Sequence, residues 1–94
     1  MNIELTLIGK PGCHLCEDAE SAVDRVLASF LAANPSVSVS ITQQNILDDA
    51  ELASRYSEEI PVLLINGKVH NYWRIDEERF TGALNDLVAE ATKE

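Results

Sequence analysis

The stretch Leu7-Ile8-Gly9-Lys10-Pro11-Gly12-Cys13-His14-Leu15-Cys16 sets the terms for the rest of the chain. It opens as an apolar run with strand character, passes through Gly9 and the turn-formers Pro11 and Gly12, and delivers both cysteines of the protein three residues apart. From Cys16 onward Ala19, Val23, Val26, Leu27, Phe30 and Leu31 recur at helical spacing, which predicts a helix over about Cys13 to Ala33. The cysteine pair therefore falls where a strand hands over to the first turn of a helix. The first N–H groups of a helix have no intrahelical acceptor, and the helix dipole is positive at that end. Both favour thiolate over thiol at Cys13, and Lys10 adds a nearby positive charge. Glu17, Asp18 and Glu20 oppose this, because they place negative charge in the same turns.

Residues i and i+3 of a helix are neighbours, with Cβ atoms roughly 5–6 Å apart, so Cys13 and Cys16 can bond reversibly to each other. Cys16 begins the apolar stripe and is expected to be the more shielded, resolving thiol, with Cys13 as the nucleophile. A metal site is the competing use of such a pair. Tetrahedral zinc needs four ligands, and Cys13, Cys16, His14 and His70 are the only Cys and His residues, with His14 poorly aimed between the two thiols. No metal is expected. His14 is expected to be a solvated side chain that adds a little thiolate stabilisation when it is protonated.

Upstream, Asn2 to Ile8 alternates with Ile3, Leu5 and Leu7 on one face, and this predicts a strand. Downstream, Asn34-Pro35-Ser36 stops the helix, and Val37, Val39 and Ile41 alternate with Ser38, Ser40 and Thr42 as a second strand. Strand, helix, strand closes into a parallel pair. Gln43-Gln44-Asn45 is a polar connection, and Asp48 is the expected cap of a short helix carrying Leu52, Ala53 and Tyr56. After the charged loop Ser57-Glu58-Glu59, Ile60-Pro61 leads into Val62-Leu63-Leu64-Ile65, a continuously apolar central strand. Asn66-Gly67 signals a type I′ hairpin, so Lys68 to Tyr72 returns antiparallel at the sheet edge. Asp76 caps a last helix with Phe80, Ala83, Leu84, Leu87, Val88 and Ala91 as its stripe. The expected order is βαβαββα, an α/β chain with a four-stranded mixed sheet flanked by helices.

Ninety-four residues, 46% of them apolar, allow one domain over 1–94 with one core. Sixteen acidic against seven basic residues give a formal charge of −9, which argues against nucleic acid and anionic membrane as partners. No stretch reaches the roughly 18 apolar residues of a membrane span, and Met1 leads into a strand-like run instead of a secretory leader. A cytoplasmic monomer is expected. Two cysteines are too few for a secreted disulfide framework, so a reversible, reactive pair is the expected use.

Lys10-Pro11-Gly12-Cys13-x-x-Cys16 between strand and helix, with Ile60-Pro61 opening a later apolar strand before a hairpin, resembles the glutaredoxin branch of the thioredoxin fold. The similarity is greatest to small bacterial glutaredoxin-like proteins with a Gly-Cys-x-Leu-Cys site and a Tyr-Trp-Arg segment after the last strand. The resemblance implies a thiol–disulfide oxidoreductase acting on protein disulfides or glutathione adducts, with no bound cofactor. It also implies a cis Ile60–Pro61 bond beside the cysteines, with the Ile60 backbone pairing to an extended substrate segment as an added strand. Lys10, His14, Ile60, Pro61, Tyr72, Trp73 and Arg74 are then the expected substrate contacts. The rings would wall the groove and Arg74 would hold a carboxylate; the alternative is Trp73 packed into the last helix and Arg74 solvated or paired with Asp76 or Glu77.

Two departures narrow the resemblance. Glutathione-using members carry Gly-Gly and an acid after the last strand, where this chain has Asn71-Tyr72-Trp73-Arg74. Glutathione is therefore expected as a co-substrate at most, with a flavin reductase as the alternative source of electrons. Thioredoxins have Trp before the first cysteine and a buried acid in the preceding strand, where this chain has Gly12 and Leu7. The rival functions are an iron–sulfur or metal carrier, against which Cys16 argues, and a thioredoxin-fold binding module without turnover.

Overall fold

The computed structural model describes residues 1–92. Strand β1 (Asn2–Gly9) is followed by helix α1 (His14–Ala33), strand β2 (Ser38–Asn45), a 3-10 turn at Ile46–Asp48 and helix α2 (Ala50–Tyr56). Strands β3 (Val62–Ile65) and β4 (Lys68–Tyr72) and helix α3 (Glu77–Thr92) complete the order. The sheet runs β2-β1-β3-β4. β1 and β2 are parallel, as strand–helix–strand requires, and β3 and β4 are each antiparallel to their inner neighbour. This is the mixed, helix-flanked βαβαββα architecture expected from the sequence.

Alternation along the inner strands sorts side chains onto two faces. Ile3, Leu5 and Leu7 of β1 and Leu63 of β3 join Ala19, Val23, Val26, Leu27 and Phe30 of α1 and Phe80 and Leu84 of α3 in the larger core. Ile8 and Val62 point the other way and pack with Ile46 and Ile60, with Leu52, Ala53 and Tyr56 of α2 against them. The periodicity of Leu7-Ile8 explains the double role of β1, since adjacent residues of a strand face opposite sides and both of these are buried. Each fully buried Leu, Ile or Phe contributes about 1.5–3 kcal/mol of apolar transfer.

The hairpin forms as its sequence demands. Asn66 has φ 51° and Gly67 φ 82°, the two positive values a type I′ turn requires. Asn66 also ties the turn to β1, donating its backbone N–H to the Glu4 carbonyl at 2.7 Å and accepting the Glu4 N–H on Oδ1 at 2.9 Å. At the start of α3, Asp76 Oδ1 accepts the Arg79 N–H at 3.1 Å, as expected of a cap.

Two expectations between β2 and α2 are corrected. Gln43-Gln44-Asn45 is strand, paired in register with Leu7, Ile8 and Gly9, because the parallel ladder with β1 satisfies its backbone whatever the side chains. The cap of α2 is Asp49 and not Asp48: Asp49 Oδ1 accepts the N–H groups of Glu51 at 2.9 Å and Leu52 at 3.3 Å. Asp48 belongs instead to the 3-10 turn, which Asn45 caps by accepting the Leu47 N–H at 2.8 Å.

Candidate active site

The β1–α1 turn places the cysteines. Gly12 at φ 73° takes a backbone conformation costly for other residues and swings the chain so that Cys13, with extended φ −102° and ψ 112°, becomes the N-cap of α1. Its carbonyl accepts the Glu17 N–H at 3.0 Å, and its Sγ accepts the Cys16 N–H at 3.1 Å. Sulfur thus fills the capping role of a Ser or Asp oxygen. The Cα atoms of Cys13 and Cys16 lie 5.2 Å apart, and their sulfurs are joined in a disulfide. Both residues are half-buried, so the greater shielding expected for Cys16 does not separate them by burial class. Both lean on the smaller core of Ile8, Ile46, Ile60 and Val62.

The Ile60–Pro61 bond is cis, as the resemblance implied, and both residues are buried. Ile60 reaches the cysteines through that shared core. The Tyr72–Trp73 segment is fastened to the same loop, with Tyr72 opposite Val62 in the ladder and the Trp73 N–H donating to the Pro61 carbonyl at 2.8 Å. The Trp73 indole N–H donates to the Glu58 carbonyl at 3.0 Å, and its backbone holds φ 62°. Trp73 therefore does not pack into α3 as the alternative had it; it is 53% exposed, with its ring centroid 6.2 Å from that of Tyr72. The exposed rings stand beside the loop that carries the cis-proline, tied to it through the Trp73 N–H.

The remaining candidates are exposed side chains. The His14 side chain is 99% exposed, and its Nδ1 is 3.8 Å from Glu17 Oε2, so it faces solvent beside a carboxylate. Arg74 is exposed and, among the described residues, enters no ion pair; Glu77, one proposed partner, is held by Arg25 of α1 at 3.1 Å. Lys10 is exposed and lines a cavity on the β2 side of Cys16. Among the described residues no group of three or more His, Cys, Asp or Glu side chains is placed to hold a metal ion.

Four residues of the site went unread in the sequence. Gly9 reads there as a strand terminator, yet a Cβ on it would stand 2.8 Å from Cys16 Sγ, so its bare backbone is what admits that sulfur. Gln43 to Asn45 read as a connection, yet they form the far wall of the cavity beside Cys16. Continuing the period-two register of β2 would have found the latter; the former has no sequence signal.

Comparison with known proteins agrees with this architecture. The X. campestris protein XcR50 is 29% identical with a TM-score of 0.67, and the match covers 87% of this chain and 96% of that one. The Nitrosomonas europaea protein Ne2328 is 20% identical with a TM-score of 0.69, covering 86% and 89%. The Drosophila melanogaster thioredoxin Deadhead shares the fold at 18% identity and a TM-score of 0.56, covering 92% and 81%. No match is found among curated proteins. A thioredoxin-like fold with a bonded cysteine pair at a helix start fits a redox role. The description "Glutaredoxin-like domain (DUF836)" matches residues 4–85, and the chain belongs to that family.

Proposed function

We propose that this protein is a thiol–disulfide oxidoreductase that reduces protein disulfides or mixed disulfides with small thiols. The observation that carries the reading is the Cys13–Cys16 disulfide at the N-cap of α1, packed against the core that also holds Ile60. The reduced pair attacks through Cys13. As a thiolate, Cys13 retains the Cys16 N–H as donor and the positive end of α1 as a favourable field. It bonds to one sulfur of the substrate disulfide and expels the other as a thiolate. Cys16 then attacks Cys13 Sγ, releases the second substrate thiol and leaves the bond seen here. Two electrons pass from the dithiol to the substrate. No metal or bound cofactor is required, and a reducing thiol or a reductase restores the dithiol. Tyr72 and Trp73, exposed on the segment bound to Pro61, offer apolar surface to a substrate chain.

Cys13→Ser is expected to abolish turnover in an insulin-reduction assay, while Cys16→Ser stops at a mixed disulfide on Cys13 that non-reducing mass spectrometry detects. Full turnover by Cys13→Ser would sink the assignment.

A further inference from the structure

The Cys13–Cys16 bond can be opened at either sulfur, and the surroundings of the two differ. A cavity of about 420 Å³ reaches Cys16 and does not include Cys13 among its lining residues. It lies toward β2, whereas Ile60-Pro61 lead into β3 on the other side of β1. One wall is Glu17 and Glu20, one helical turn apart on α1; the facing wall is Gln43, Gln44 and Asn45 at the end of β2. Gly9, also in the lining, has no Cβ to meet Cys16 Sγ at 2.8 Å, so the sulfur packs against its bare backbone. Lys10 is in the lining too and the exposed His14 stands 3.8 Å from Glu17, so the lining itself carries two carboxylates and one ammonium within a chain of charge −9. That balance attracts cations and repels anions.

We propose that this cavity binds a small thiol bearing an amine and delivers its sulfur to Cys16, a step that rests on the disulfide-exchange reading above. The incoming thiolate bonds to Cys16 Sγ, the Cys13–Cys16 bond breaks, and Cys13 leaves with the electron pair. Cys13 is the better leaving group because its sulfur is the N-cap acceptor of α1, and exchange is faster when the departing thiolate is stabilised. A second thiol attacks the small-molecule sulfur of the Cys16 adduct. It releases the small disulfide and leaves Cys16 as a thiol. Two small thiols are oxidised, the protein disulfide is reduced, and the two thiol protons pass to Cys13 and Cys16.

The test treats oxidised protein at low ionic strength with cysteamine or with 3-mercaptopropionate, traps with N-ethylmaleimide at mildly acid pH and locates the adduct by fragment-ion mass spectrometry. Cysteamine is expected on Cys16 with the maleimide on Cys13. The ratio of cysteamine to mercaptopropionate rates is expected to fall about fivefold in Glu17→Gln/Glu20→Gln, the size of one unit-charge contact in water. Asp86→Asn/Glu90→Gln makes the same charge change on exposed positions of α3 and is expected to leave the ratio close to the parent's. Adduct on Cys13, or an equal fall in both double variants, overturns the cavity proposal while the exchange reading stands. Failure of every thiol, dithiothreitol included, to reduce the pair overturns both.

Discussion

His70 shows how one residue couples the fold to pH. It stands on β4 with its ring centroid 6.0 Å from that of Phe80, and its Nε2 is buried without a hydrogen-bond partner. Burial lowers its pKa below the ordinary 6.5; Arg79 pushes the same way and Asp76 opposes. The unfolded chain therefore takes up the proton more readily than the folded one. Stability is present in full above the unfolded value and falls as pH drops through about 6.5 toward the lower folded value. The urea midpoint is expected to be lower at pH 5.5 than at pH 7.5, and His70→Gln should narrow that difference. An unchanged difference in the variant would remove His70 as the cause. In the sequence His70 stands out only as a potential zinc ligand, since nothing local says that Phe80, ten residues on, will cover it. Gly9 was opaque for the same reason: its contact is with Cys16, across a turn whose path no pattern of residues spells out.

At the scale of elements, periodicity located β1, β2 and the α-helices, because amphipathic patterns report the face each element buries, while a continuous apolar run gave β3 and the Asn66-Gly67 turn gave β4. The errors fall where side-chain pattern and backbone pairing disagree. Gln43 and Gln44 are exposed and polar, yet their N–H and C=O groups extend the parallel ladder to β1. The 3-10 turn that follows takes up Asp48, and the cap of α2 falls one residue later, on Asp49. Asp49→Ala is expected to cost about 1 kcal/mol, the usual loss for a missing N-cap, read from the denaturation midpoint. Asp48→Ala should stay within about 0.5 kcal/mol of the parent, as exposed positions without such a role do. The reverse order would mean that Asp48 is the working cap. α2 is short, and its Leu52, Ala53 and Tyr56 back the smaller core on which the cysteines rest, so weakening the cap reaches the site through packing.

For the whole molecule, a charge of −9 shapes its encounters. At low salt a cationic disulfide such as cystamine is expected to react faster with the reduced protein than the anionic dithiodipropionate. Raising ionic strength from about 10 to 150 mM shortens screening from about 30 Å to 8 Å and should shrink that advantage. A preference indifferent to salt would place its origin in contacts instead of field. Charge, the cysteine pair at a helix start, the βαβαββα order and the Asn66-Gly67 turn were all determined by the sequence alone, since each depends on residues adjacent in the chain or at fixed periods. The cis Ile60–Pro61 bond was implied by resemblance and has no local signature. Tertiary structure decided how the dithiol is framed. Folding brings Ile60 and the Trp73-bound Pro61 segment to one side of the pair and opens a carboxylate-lined cavity beside Cys16 on the other. These relations join segments distant in the chain, and packing and the sheet register fix them instead of any pattern along it.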